Sequence, residues 1–140
     1  MKFVGLILAA AAVAFAGVTW WALESSRVAL LETHRPGGSI RTTHVWYVFH
    51  DGGLWLEAGK PENGWYRDVQ RSPRLSIAID GQSAEYRAEP VKRASGHVLI
   101  RGLMRQEYGL RDRWVELLFD TSRSVAVRLV DPEDPSTRAP

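Results

Sequence analysis

The chain has 140 residues, 45% of them apolar and 24% charged, with 18 basic against 16 acidic side chains, six Trp and no Cys. That length holds one domain of ordinary size, the composition is too apolar for a disordered chain, and a net charge of +2 with Arg spread along the sequence argues against a nucleic-acid surface. Without Cys there is no disulfide, thiolate metal site, iron-sulfur cluster or cysteine nucleophile, so redox chemistry here needs a bound cofactor.

Residues 3–23 carry no charge, and as a helix rising ~1.5 Å per residue they cover ~30 Å, about one hydrocarbon core. Trp20 and Trp21 suit the aromatic belt of a membrane surface. Ala14-Phe15-Ala16 offers a signal-cleavage pattern, but the apolar run continues well past it. A single-pass anchor is therefore expected over residues 1–23, ahead of a folded domain over 24–131 and a polar tail over 132–140. Lys2 precedes the span while Arg27, Arg35 and Arg41 follow it, which leans the folded domain to the cytoplasmic side and leaves the periplasmic side open.

After the anchor, RVALLETH (27–34) is compatible with a strand and ends at Pro36-Gly37-Gly38, a turn whose glycines accept positive φ. SIRTTHVWYVFH (39–50) is rich in β-branched and aromatic residues and stops at Asp51-Gly52-Gly53, a strong hairpin signal; 53–58 returns as a third strand. Between Pro61 and Pro73 a short helix is expected, beginning near Glu62, with Trp65 and Val69 on one face. Leu75, Ile77 and Ile79 alternate with small or polar residues, and after Asp80-Gly81 the alternation resumes at Ala84, Tyr86 and Ala88, giving a second hairpin with one buried face. From Ser95 to Phe119 the apolar spacing changes to three and four, which predicts two helices broken near Gly109. SVAVRLV (124–130) is the last strand. The order β-β-β-α-β-β-α-α-β, with about six antiparallel strands and late helices, closes most simply into a small barrel, a mainly β, α+β fold.

The stretch from Leu30 to Val130 resembles the deazaflavin-dependent nitroreductase family, a branch of the split β-barrel flavin-binding superfamily. The likeness lies in an order of short words: LLETH, Arg35-Pro36-Gly37-Gly38, Ile40-Arg41-Thr42-Thr43-His44-Val45-Trp46-Tyr47, an Asp-Gly turn, Ala58-Gly59-Lys60, Gly64-Trp65-Tyr66, Ser72-Pro73 and RLSIAI from Arg74. The resemblance implies a split barrel that binds coenzyme F-420, with FMN as the second choice, and passes hydride from the reduced coenzyme to a quinone or nitro compound. It also implies a homodimer. The family pattern departs at two places: the basic turn reads RPGG, and the loop after Lys60 is shortened. Both fall at the expected phosphate site and bear on coenzyme identity more than on the barrel.

A flavin-like coenzyme needs its phosphate neutralised and its ring packed. Arg35, Arg41 and Lys60 stand at strand ends where they could converge on one phosphate; isolated strand-end cations are, by default, solvated. Thr42, Thr43 and His44 lie where the family makes polar contacts to the ring, although β-propensity alone accounts for the threonines and a lone strand histidine is more often structural. Trp65 is both a candidate cofactor contact and a core anchor of the short helix. Adjacent strand residues face opposite ways, so only one of Trp46 and Tyr47 can enter the core. No catalytic residue is assigned, the four His lack metal-ligand spacing, and there is no GxSxG, Walker or GxGxxG motif. The alternative to a membrane-anchored oxidoreductase is a non-catalytic anchored barrel that binds a flavin, haem or another small ligand.

Overall fold

The structure is a computed structural model that describes residues 2–24 and 27–133. The junction at 25–26 and most of the polar tail, residues 134–140, lie outside them. Helix α1 spans Lys2–Glu24. The strands are β1 (Val28–His34), β2 (Ile40–His50), β3 (Gly53–Ala58), β4 (Arg74–Ile79), β5 (Gln82–Val91) and β6 (Val125–Val130); α2 (Gly64–Arg71) comes after β3, and α3 (Ala94–Tyr108) and α4 (Leu110–Leu118) precede β6. This is the order expected from the sequence.

Six antiparallel strands close into a barrel in the order β1-β2-β3-β6-β5-β4. Closure pairs β1 with β4, Leu31 opposite Ile77, and β3 with β6, Leu56 opposite Val127, so no edge is left over. The two tightest hairpins turn on Asp51-Gly52 and Asp80-Gly81, all four residues at positive φ. That backbone twist matches the right-handed twist of the flanking strands. Gly109, at φ 53°, separates α3 from α4 as the spacing predicts.

Alternation sorts the strand residues into two clusters. Ala29, Leu31, Val45, Tyr47, Leu56 and Val127 point into the barrel, where α2 adds Trp65, Tyr66 and Val69 like a stopper. Val48, Trp55 and Ala126 point outward and are covered by Ile100, Leu103, Met104 and Tyr108 of α3. Of the adjacent aromatic pair on β2, Tyr47 is the core residue, while Trp46 faces outward and stacks on Tyr108, ring centroids 4.3 Å apart at 8°. Tyr108 also ties α3 to the sheet: its hydroxyl accepts from the Tyr47 N–H at 3.0 Å, and its proton is shared between the carbonyls of Tyr47 at 2.7 Å and Arg27 at 2.9 Å. It bridges one rung beyond the Val28–Trp46 pair that ends the β1–β2 ladder. Burial pushes the Tyr108 phenol well above its ordinary range, so it stays neutral.

The stopper helix is locked by a buried carboxylate. Asp68 is fully buried and accepts from Thr33 Oγ1 at 3.0 Å, Arg41 Nε at 2.7 Å and Arg71 NH2 at 2.8 Å, joining α2 to β1 and β2. Burial works to raise its pKa, but the hydrogen bonds from Arg41 and Thr33 and the charge of Arg41 overcome it and hold Asp68 below the ordinary value. Asp68→Ala removes the buried charge itself and leaves buried Thr33 Oγ1 without its acceptor, so a loss of ~1 to 3 kcal/mol in denaturant unfolding at neutral pH is expected. A carboxylate with a lowered folded pKa contributes fully above its unfolded value of about 3.9 and is lost as pH falls through the folded one. The gap between wild type and variant should therefore narrow in acid.

Candidate coenzyme cleft

One side of the barrel opens into a cleft of about 840 Å³. Its floor comes from β2 through Arg41, Thr43, His44, Val45 and Trp46. The chain leaving β3 adds Gly59 and Lys60, and the start of α2 adds Asn63, Gly64 and Trp65. The far wall is the last turn of α4, with Val115, and the segment Phe119 to Thr121 just past it. Aromatic and aliphatic groups face one another across this space, and the cations stand where β2, β3 and α2 meet.

Five of the seven residues singled out from sequence line the cleft: Arg41, Thr43, His44, Lys60 and Trp65. Arg35 and Thr42 do not. Arg35 is in the turn between β1 and β2, its N–H bonded to the Ser39 carbonyl, and is exposed. Thr42 is exposed opposite Glu32 in the β1–β2 pair and does not line the cleft. The expected convergence of three cations is thus one of two. Helix α2 also begins later than expected, at Gly64 with Asn63 as its cap residue. Glu62 instead pairs with Arg123.

The two cations differ in how much of their bonding capacity is spoken for. Asp68 takes Arg41 Nε, and among the described residues no other hydrogen bond engages that guanidinium. It lies flat against Gly64: a Cβ there would sit 2.6 Å from the Arg41 Cζ and 2.7 Å from NH1. A glycine at the first position of α2 is therefore what lets Arg41 lie beside the helix start with its terminal nitrogens unspent. Lys60 is exposed; its carbonyl accepts from the Asn63 N–H at 3.1 Å, and its ammonium makes no hydrogen bond or ion pair among the described residues, with Glu62 close enough to feel its charge. Two cations with donors to spare, next to the first N–H groups of a helix, make a fitting anion seat.

The residues that sequence reasoning missed belong to the far wall and to the contacts that hold it. Arg101 of α3 is buried and donates through NH1 to both oxygens of Glu57 at 2.9 and 2.8 Å, and through NH2 to both oxygens of Asp112 at 2.8 and 2.7 Å and to Glu116 at 2.8 Å. Arg105 adds a second bond to Glu116. Burial opposes the charge on Arg101, but Glu116, Glu57 and Asp112 outweigh it and hold the guanidinium firmly protonated. One side chain thus fastens α4 to α3 and to β3 and sets where Val115 and Phe119 stand. A signal for it was present: Arg101 and Arg105 are four residues apart on one helix, and Asp112 and Glu116 four apart on the next.

A closed antiparallel barrel with one lateral cleft, a cationic seat and apolar walls is the architecture of the split barrels that hold flavin-type coenzymes. The chain belongs to the F420H(2)-dependent quinone reductase family, whose model matches residues 9–132. Among solved structures it is similar to the conserved hypothetical protein Rv2991 from Mycobacterium tuberculosis, with 25% identity, TM-score 0.62, and coverage of 84% of this chain and 80% of that one. An F420-H2 dependent reductase shares the fold at 17% identity and TM-score 0.58, over 74% of this chain and 94% of the other. So does an FAD-binding protein from Mesorhizobium loti, at 19% identity and TM-score 0.57, over 80% and 86%. No curated protein matches the chain.

Replacing Arg101 by Met leaves Glu57, Asp112 and Glu116 without their shared cation. Denaturant unfolding should show a loss of ~3 to 5 kcal/mol. Arg101→Lys should recover little of it, because an ammonium cannot serve two carboxylates as a planar fork does.

Proposed function

We propose that this chain is a membrane-anchored oxidoreductase that holds a reduced deazaflavin coenzyme in the cleft and passes hydride to a lipophilic quinone. The observation that carries the reading is the pairing of two cations with a cleft of about 840 Å³, partly walled by aliphatic and aromatic side chains, in a chain of the F420H(2)-dependent quinone reductase family. When bound, the coenzyme supplies the hydride; the protein contributes binding, orientation and exclusion of water.

Lys60, the terminal nitrogens of Arg41 and the N–H groups at the start of α2 would take the phosphate, each charge-assisted bond worth ~1.5 to 3 kcal/mol. Trp65, Val45 and Val115 would pack the ring system, with Thr43 and His44 offering polar contacts along β2. Trp46, stacked on Tyr108, is braced and presents a rigid edge. Phe119, 53% exposed at the far wall, suits the approach of an apolar acceptor. Residues Val4–Trp21 of α1 are long and apolar enough to cross a membrane, and an anchor there would keep the cleft near membrane-dissolved quinone. A cytoplasmic domain fits best, since Arg27, Arg35 and Arg41 follow the span and only Lys2 precedes it.

Arg41→Ala is a poor test, because it also strips buried Asp68 of a partner. Lys60→Ala is cleaner; Gly64→Ala, whose Cβ would push the Arg41 guanidinium aside, is read together with its unfolding, because Arg41 Nε also holds Asp68. Titrating the full chain in detergent with the deazaflavin coenzyme, followed by fluorescence, each variant should weaken binding about tenfold or more, equivalent to ~1.4 kcal/mol, with unfolding little changed for Lys60→Ala. Unchanged affinity in both would remove the phosphate seat, and saturable binding of FMN or haem in place of deazaflavin would favour a different coenzyme.

A further inference from the structure

Helix α4 is amphipathic the wrong way round for a helix on a water-facing surface. At 100° per residue, Asp112 and Glu116 share one side, and that side faces the protein, bonded to Arg101. Leu110, Trp114, Leu117 and Leu118 share the opposite arc. Leu110 and Leu117 are 74% and 75% exposed, and Phe119 continues the apolar surface just past the helix end. Surface helices ordinarily bury the apolar stripe and show the charged one; here the charges are turned inward and the leucines outward.

The arc is also continuous with α1. The Phe15 and Trp114 rings lie 5.5 Å apart, Trp114 Nε1 donates to Thr19 Oγ1 at 3.1 Å, and Arg111 sits 4.3 Å over the Trp21 ring. Thr19 in turn donates to the Phe15 carbonyl at 2.8 Å, so this polar contact is satisfied without water, as a low-dielectric setting demands. Phe15 and Thr19 lie inside the apolar stretch Val4–Trp21. Phe15 is six residues short of its end, roughly 9 Å at a helical rise of about 1.5 Å per residue. A helix that touches the span at that depth cannot stand clear of the membrane when α1 is in it. Exposed Arg113 flanks the arc and suits anionic head groups.

We propose that α4 is a second membrane contact, lying in the interfacial layer beside α1 with its leucine arc against lipid, so that the cleft opens past Phe119 towards acyl chains. Because Val115 and Phe119 belong to both the cleft wall and this segment, a lipophilic acceptor would pass from bilayer to cleft without crossing water. The inference rests on the anchored-reductase reading and adds the surface through which its substrate arrives.

The chain has no Cys, so single Cys residues can carry an environment-sensitive fluorophore without background. Labels are placed at Leu110 and Leu117, at Val13 in α1, and at exposed Gln82 in the β4–β5 hairpin, in the full chain reconstituted into phosphatidylcholine and phosphatidylglycerol vesicles. Acyl-chain spin-labelled lipid should quench positions 110, 117 and 13 several-fold more than position 82, while aqueous iodide should do the reverse. Iodide quenching at 110 and 117 equal to that at 82, with 13 still lipid-quenched, would overturn the proposal and leave the anchor standing. Shielding of 110 and 117 from both quenchers, together with a cross-linked dimer, would overturn it in favour of a second copy of the chain. A Leu110→Gln/Leu117→Gln double variant, altered outside the cleft, should lose about tenfold or more of its turnover with a long-tailed quinone and keep its turnover with a short-tailed, water-soluble one. Equal loss with both quinones would also overturn it, and absence of any turnover in the wild type would defeat the reductase reading while the labels still report the contact.

Discussion

Arg101 brings one positive charge into a buried site and meets three carboxylates from two different elements there. Its NH1 and NH2 nitrogens are engaged while its Nε is buried without a hydrogen-bond partner among the described residues, and loss of one member of such a set is far more costly than the set is stabilising. The consequence is a part that fits in one position. Glu57 is on β3 of the barrel, Asp112 and Glu116 are on α4, and Arg101 stands between them on α3. That guanidinium ties the barrel to the far wall of the cleft, and Arg105 on Glu116 and Trp114 against α1 hold α4 further.

The same balance of charges explains why the near wall can bind anything. Asp68 needs a partner and takes only one nitrogen of Arg41, with Thr33 and Arg71 supplying the rest. Arg41 is thereby held in place yet keeps donors for a ligand, and Gly64 leaves the room in which it lies. The Lys60 ammonium makes no ion pair among the described residues, because nearby Glu62 is taken by Arg123. An oriented guanidinium and an uncommitted ammonium at one mouth, with apolar walls beyond, are what a coenzyme with a charged tail and a flat ring requires, and membership of the F420H(2)-dependent quinone reductase family agrees. The turned-out leucines of α4 extend this logic to the substrate, since the polar side of that helix is consumed by Arg101 and only an apolar side is left to face outward.

Local chemistry made most of the barrel legible. Asp51-Gly52 and Asp80-Gly81 announced their turns, alternation from Leu75 to Ala88 announced a strand pair, and Gly109 announced the break between two helices. Five of the cleft residues were readable because strand ends and a family-like order of short words carry them. Arg35 and Thr42 stand apart from the cleft: the hairpin turn carries Arg35 away from Arg41, and Thr42 is exposed opposite Glu32. The far wall was not readable. Glu57 and Arg101 are 44 residues apart, and only tertiary packing brings them together. The matched four-residue spacings of Arg101 with Arg105 and Asp112 with Glu116 were the one hint that the two helices face each other through charge.

Turnover tests the central claim most directly. With the full chain in lipid discs containing a long-tailed quinone, reduced deazaflavin should be reoxidised, and its visible absorbance recovered, at a rate that saturates with coenzyme and falls sharply in Lys60→Ala. Reoxidation no faster than in protein-free discs, with the coenzyme failing to bind, would contradict the account and leave a barrel whose cleft serves some other ligand.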